Sequence, residues 1–127
     1  MIIDGKHLSD EKLKEVSSTS QGLIARGIFP KLAVILVGED EASKMYVQMK
    51  TKRATENGIK TEVFHFHETV EPEEVKEQIL KLNTNKEIHG LLVQLPFPKH
   101  SRLKHFQDEL VDLIIPEKDV DCLTSAN

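Results

Sequence analysis

Apolar positions change their period several times along this chain, and each change marks an element. Leu13, Val16, Leu23 and Ile24 recur at roughly helical spacing and stop at Gly27. Ser9 precedes them as a candidate N-cap, with Asp10 and Glu11 suited to the positive end of the helix dipole. Leu32 to Val37 is an unbroken apolar run, rich in β-branched residues and closed by Gly38, which predicts a strand buried on both faces. From about Glu41 to Asn57 there is no Gly or Pro, and a helix is expected, ended by Asn57-Gly58. Lys60 to His67 reads as a second strand, and Pro72 opens a helix running to about Asn83. His89 to Gln94, with Gly90-Leu91-Leu92-Val93 inside it, predicts a third strand. Pro96 and Pro98 prevent any regular element from continuing past it. Arg102 to Ile115 is expected to be partly helical, and the tail from Glu117 irregular.

Strands thus alternate with helices, which implies a three-layer α/β/α domain with a mostly parallel sheet, occupying residues 1–127 as one unit. Ligands of such sheets bind beyond the carboxyl ends of the strands. That directs attention to the loop starting at Gly38 and the loop starting near Gln94.

Composition narrows the function classes. The formal charge is -4 with both signs mixed, and no basic tract points to nucleic acid. No apolar run approaches the ~18 residues of a membrane span. Cys122 is the single cysteine, which rules out an intrachain disulfide and suits a reducing, cytoplasmic setting.

Three segments could carry chemistry. Tyr46 and Lys50 are four apart, so they share one helix face, and a lysine partly shielded beside an aromatic ring can act as a proton acceptor. On spacing alone the same residues also read as a solvated helix face. Gln94 closes a buried strand before Leu95-Pro96, where its amide needs partners; a strand-end cap is the plain alternative. Asp119 and Asp121 flank Val120 in Pro116–Cys122, a segment lacking the oxygen ligands and glycine of a calcium loop. One carboxylate there could instead accept paired N–H donors, although an exposed turn is the default. His65 and His67 share a strand face, but no third ligand is evident and no metal site is expected. Neither a Gly-x-Gly-x-x-Gly run nor a P-loop is present.

Taken together, the three segments resemble the bifunctional methylenetetrahydrofolate dehydrogenase/methenyltetrahydrofolate cyclohydrolase family. Val37-Gly38 to Lys50, with Ala42-Ser43 and Tyr46-Val47, is similar to its first signature. Gly90 to Pro96 is similar to the second, and Pro116 to Asp121, followed by Leu123-Thr124-Ser125, to the third. The resemblance runs over nearly the whole chain, from Asp4-Gly5 onward. It implies that Lys50 is the catalytic lysine and Gln94 positions it. It further implies that Tyr46 packs on the folate, that Asp121 grips the pterin, and that Ser43, Leu95 and Pro96 join the substrate cleft. The implied substrates are tetrahydrofolates. The implied cofactor is NADP, with NAD as the other option, held by a second, Rossmann domain outside this chain that also makes the homodimer contact. A folate-binding fragment without turnover is the competing expectation. The family pattern has glycine after the third-motif aspartate, where this chain has Cys122; a positive φ there would strain the backbone.

Overall fold

Three parallel strands form the centre of the molecule, β1 (Lys31–Val37), β2 (Lys60–Phe66) and β3 (Gly90–Val93), in the order β2-β1-β3. The computed structural model describes residues 1–127. β1 is the middle strand, and Ala33 to Val37 are all buried, as an unbroken apolar run requires when both faces are covered. β2 is an edge strand and only partly buried, so its polar residues alternate with Phe64 and Phe66. β3 forms the other edge, and all four of its residues are buried.

Helices cover both faces of the sheet. α2 (Glu41–Glu56) puts Val47 against Val34, Leu36 and Leu92. α3 (Pro72–Thr84) puts Val75, Ile79 and Leu82 against Ala33, Ile35, Leu91 and Val93 on the opposite face. This second face holds the larger core, completed by Phe97, by Leu103 of a 3-10 turn (Arg102–Phe106), and by Leu110 of the short α4 (Gln107–Val111). The three-layer α/β arrangement expected from the alternation is present. A further 3-10 turn, Pro116–Lys118, leads into the polar tail. There the Lys118 ammonium donates to the carbonyls of Leu82 and Asn85, both at 2.7 Å, satisfying the end of α3.

The first helix departs from the sequence reading at its start. α1 spans Gly5–Ala25, and its N-cap is Asp4, whose carboxylate accepts the His7 amide at 3.1 Å. Ser9 lies inside the first turns. The early residues of α1 are exposed, so the buried-face period that locates the helix begins later than its hydrogen bonds do. α1 packs where Gly58 leaves room: a Cβ there would stand 3.0 Å from the Ser20 Cβ. No helix is long and apolar enough to cross a membrane.

Candidate functional site

Lys50 sits in the third turn of α2, and its position depends on how that helix is started. Asp40 caps the helix, accepting the Ser43 amide at 2.8 Å, and this bond in particular holds the Asp40 carboxyl below its ordinary range. Val47 locks the helix to the sheet, which sets the rotation of its neighbours. Lys50 is then turned towards the carboxyl end of β3. Its Nζ lies 3.2 Å from Gln94 Oε1. Gln94 is buried, and its own Nε2 donates to the Leu95 carbonyl at 3.0 Å. That second bond orients the amide, leaving the oxygen for the lysine. The Leu95–Pro96 peptide is cis, and Leu95 packs against the larger core while Pro96 is exposed.

The third contributor comes from the tail. Asp121 Oδ2 is 3.9 Å from Lys50 Nζ, and both side chains remain partly open to solvent at 46% and 40%. Lys50 also borders an open groove of about 420 Å³ shared with Ser9, Leu13, Met49 and Arg53. A more enclosed hollow beside Pro72, Phe106 and Leu113 lies elsewhere and contains none of these groups. Lys50, Gln94 and Asp121 therefore converge from a helix, a strand end and the C-terminal loop. An amine, an amide and a carboxylate placed this way can hold a polar heterocycle edge and move a proton beside it.

Two other expected site residues, Tyr46 and Ser43, share α2 with Lys50. Tyr46 is one turn before Lys50 on α2 and more than half exposed. Ser43 is buried in the first turn of the helix, where its amide serves the Asp40 cap. His65 Nε2 lies 2.7 Å from the Gly38 carbonyl and 3.2 Å from Glu39 Oε1, while His67 Nδ1 is bonded to Thr69. Their partners are thus groups of this chain. Glu39 also pairs with Lys44 at 3.1 Å, the contact that chiefly draws its carboxyl below the ordinary range. Cys122 has φ 53, the left-handed conformation that glycine adopts without strain.

Asp119 stands in the third motif, where the family resemblance assigns a role to Asp121 alone. Its buried carboxylate accepts the Leu123 amide at 3.0 Å, the Thr124 amide and hydroxyl at 2.9 Å each, and the Asn127 amide group at 3.1 Å. Burial by itself would raise this carboxyl; the Leu123 and Thr124 amides, with Asn127 and the Thr124 hydroxyl, outweigh it and hold the group far below its ordinary value. An aspartate followed by turn residues is the sequence signal for such a clasp.

No glycine-rich dinucleotide fingerprint precedes α2. A pyrophosphate in a dinucleotide fold lies on a helix N-terminus behind a glycine-rich turn. The N-terminus of α2 is instead closed by the Asp40 carboxylate, with Glu39 and Glu41 beside it.

Comparison with known proteins finds relatives that match nearly the whole chain. The bifunctional protein FolD of an Exiguobacterium strain is 41% identical over 121 residues, covering 95% of this chain and 42% of the relative. FolD of Methanococcoides burtonii is 44% identical over 121 residues, covering 94% and 41%. The crystal structure of the bifunctional enzyme FolD, a methylenetetrahydrofolate dehydrogenase/cyclohydrolase from Campylobacter jejuni, superposes with TM-score 0.86 at 42% identity over 93% of this chain and 40% of that one. The Trypanosoma brucei enzyme, crystallised with NADP and an inhibitor, superposes with TM-score 0.88 at 30% identity, over all of this chain and 42% of that one. The chain therefore spans about two-fifths of the length of these relatives. The family pattern described as tetrahydrofolate dehydrogenase/cyclohydrolase, catalytic domain, matches residues 3–121, and with Lys50, Gln94 and Asp121 gathered inside that span, this chain belongs to that family.

Proposed function

We propose that this chain supplies the folate site and the catalytic lysine for oxidation of 5,10-methylenetetrahydrofolate to methenyltetrahydrofolate and its hydrolysis to 10-formyltetrahydrofolate. One observation carries the reading: Lys50 Nζ stands 3.2 Å from Gln94 Oε1 and 3.9 Å from Asp121 Oδ2, joining three separate segments at the carboxyl end of β3.

Each group has a task suited to its chemistry. The Asp121 carboxylate accepts two N–H donors from the pterin ring, fixing its edge. Tyr46, exposed one turn away, offers an apolar face to the rest of the ligand. In the hydrolysis, water attacks the methenyl carbon and Lys50 takes one of its protons as the new C–O bond forms. The ring opens as the bond from that carbon to N5 breaks. The remaining hydroxyl proton passes to N5, and the carbon becomes the formyl group on N10. Gln94 holds the lysine amine in line for this transfer.

Oxidation of the methylene bridge requires a hydride acceptor. NADP suits this role in relatives such as the Trypanosoma brucei enzyme, and NAD is the other option, as in the NAD-dependent yeast dehydrogenase. The acceptor site and the homodimer contact are assigned, in this reading, to the portion of the longer relatives that this chain does not span. The setting we propose is cytoplasmic, in keeping with the single free thiol.

The test is calorimetric titration of the 127-residue chain with tetrahydrofolate, beside an absorbance assay of methenyltetrahydrofolate hydrolysis. Saturable binding with lysine-dependent hydrolysis supports the reading. Binding without hydrolysis identifies a folate-binding module, and no binding refutes the folate site.

A further inference from the structure

We propose that Asp119 is a positioning residue whose carboxylate sets the place of Asp121 beside Lys50. The inference rests on the folate reading for its functional consequence, but its geometry stands separately. Asp121 is exposed, and its carboxylate accepts no hydrogen bond from the rest of the chain, only approaching Lys50 at 3.9 Å. The chain on either side of it is held firmly. Before it, the Asp119 backbone bridges to Leu91 of β3 in parallel register, and Val120 lies directly over Gly90. Gly90 permits that approach: a Cβ there would stand 2.8 Å from Val120 Cγ1. After it, the chain reverses at Cys122, with φ 53, and Leu123 packs against the larger core.

Asp119 joins the two sides. Oδ1 accepts the Leu123 amide and Oδ2 the Thr124 amide and hydroxyl, so the carboxylate closes a loop with Asp121 inside it. The Asn127 amide group adds a fourth donor on Oδ2. All four donors come from residues later in the chain than Asp121, and an ionised acceptor makes each bond stronger than a neutral one would. The same segment is bridged to β3, the strand that ends at Gln94. One buried carboxylate thus ties the Asp121 loop to the strand that presents the partner of Lys50.

A purely structural aspartate would stabilise the tail without governing the site, and the two roles are separable. The experiment uses Asp119→Asn, which keeps the volume and removes the charge, and Thr124→Val, which removes a single donor. Each is made alone and in an Asp121→Ala background. Crystal structures give the first readout, independent of any ligand. Asp121 is expected to move beyond about 6 Å from Lys50, outside the reach of a close charge pair, while Lys50 keeps Gln94. Tetrahydrofolate titration gives the second. Asp119→Asn should weaken binding roughly 10-fold alone and less than about 2-fold when Asp121 is already alanine, the signature of coupled residues. Thr124→Val should act in the same direction and serves if Asp119→Asn does not fold. An Asp121 left in place in the variant crystals, or an equal loss of affinity in both backgrounds, overturns the proposal. If the unmodified chain binds no tetrahydrofolate, the functional reading fails and the crystallographic readout alone decides the role of Asp119.

Discussion

Lys50 and Gln94 are separated by 44 positions in sequence, yet their side chains meet at 3.2 Å. The pairing places the only amine of the cluster against an oriented amide oxygen. Lys50→Met should therefore abolish hydrolysis of methenyltetrahydrofolate while tetrahydrofolate affinity stays nearly unchanged. The replacement keeps the apolar stem and removes only the amine, and a general base typically contributes about 100- to 10,000-fold. Initial rates of methenyl absorbance loss check this, and hydrolysis near the unmodified rate would exclude Lys50 as the base.

The same chain alone should not oxidise methylenetetrahydrofolate with NADP or NAD. Hydride transfer needs a nicotinamide held against the substrate carbon, and the N-terminus of α2 is occupied by its own Asp40 cap. Nicotinamide absorbance during incubation with substrate gives the answer, and steady reduction by the 127-residue chain would contradict the expectation.

Cys122→Gly should stabilise the fold. A residue with a Cβ at φ 53 carries left-handed strain of about 1–2 kcal/mol, against which glycine's greater unfolded-state freedom costs about 0.4–1 kcal/mol. A net gain of about 0.5–1 kcal/mol results. Urea unfolding should show a higher midpoint with an unchanged slope; a lower midpoint would mean that the cysteine side chain contributes more than its backbone costs.

Gly38→Ala should destabilise it. The position has φ +83, and a Cβ there would stand 2.7 Å from Pro98 Cγ, an atom of a stiff ring. Strain and overlap together predict a loss of about 1–3 kcal/mol, read from the same urea midpoint.

Asp119 should impose an acid limit on stability. Its carboxyl lies lower in the folded state than the ordinary 3.8. The unfolded chain therefore takes up this proton first as pH falls, so the contribution is complete above the ordinary value and declines progressively below it. Asp119→Asn should flatten stability against pH between about 5 and 2. Urea midpoints for both proteins across that range test the sign, and parallel profiles would show that the carboxylate is not the titrating source.

Local pattern determined the elements. β1 was readable because a central strand in a covered sheet is apolar without alternation, and α3 because Pro72 suits the first turn of a helix. The start of α1 was not legible, because an exposed first turn carries no buried period and leaves Asp4 and Ser9 equally good caps by residue type. The motifs named Lys50, Gln94 and Asp121, each of which by spacing alone also fitted a solvated face, a strand cap or a turn. Only the tertiary structure brought Gln94 and Asp121 within 3.9 Å of Lys50, because their meeting depends on Val47 setting the rotation of α2 and on β3 pairing beside β1. The role of Asp119 was likewise hidden: its four donors lie within eight residues of it, but a clasp forms only once burial removes water as the competing partner. Sequence records which groups are present and their local period; which of them share one space is decided by long-range packing, for which no single segment holds the information.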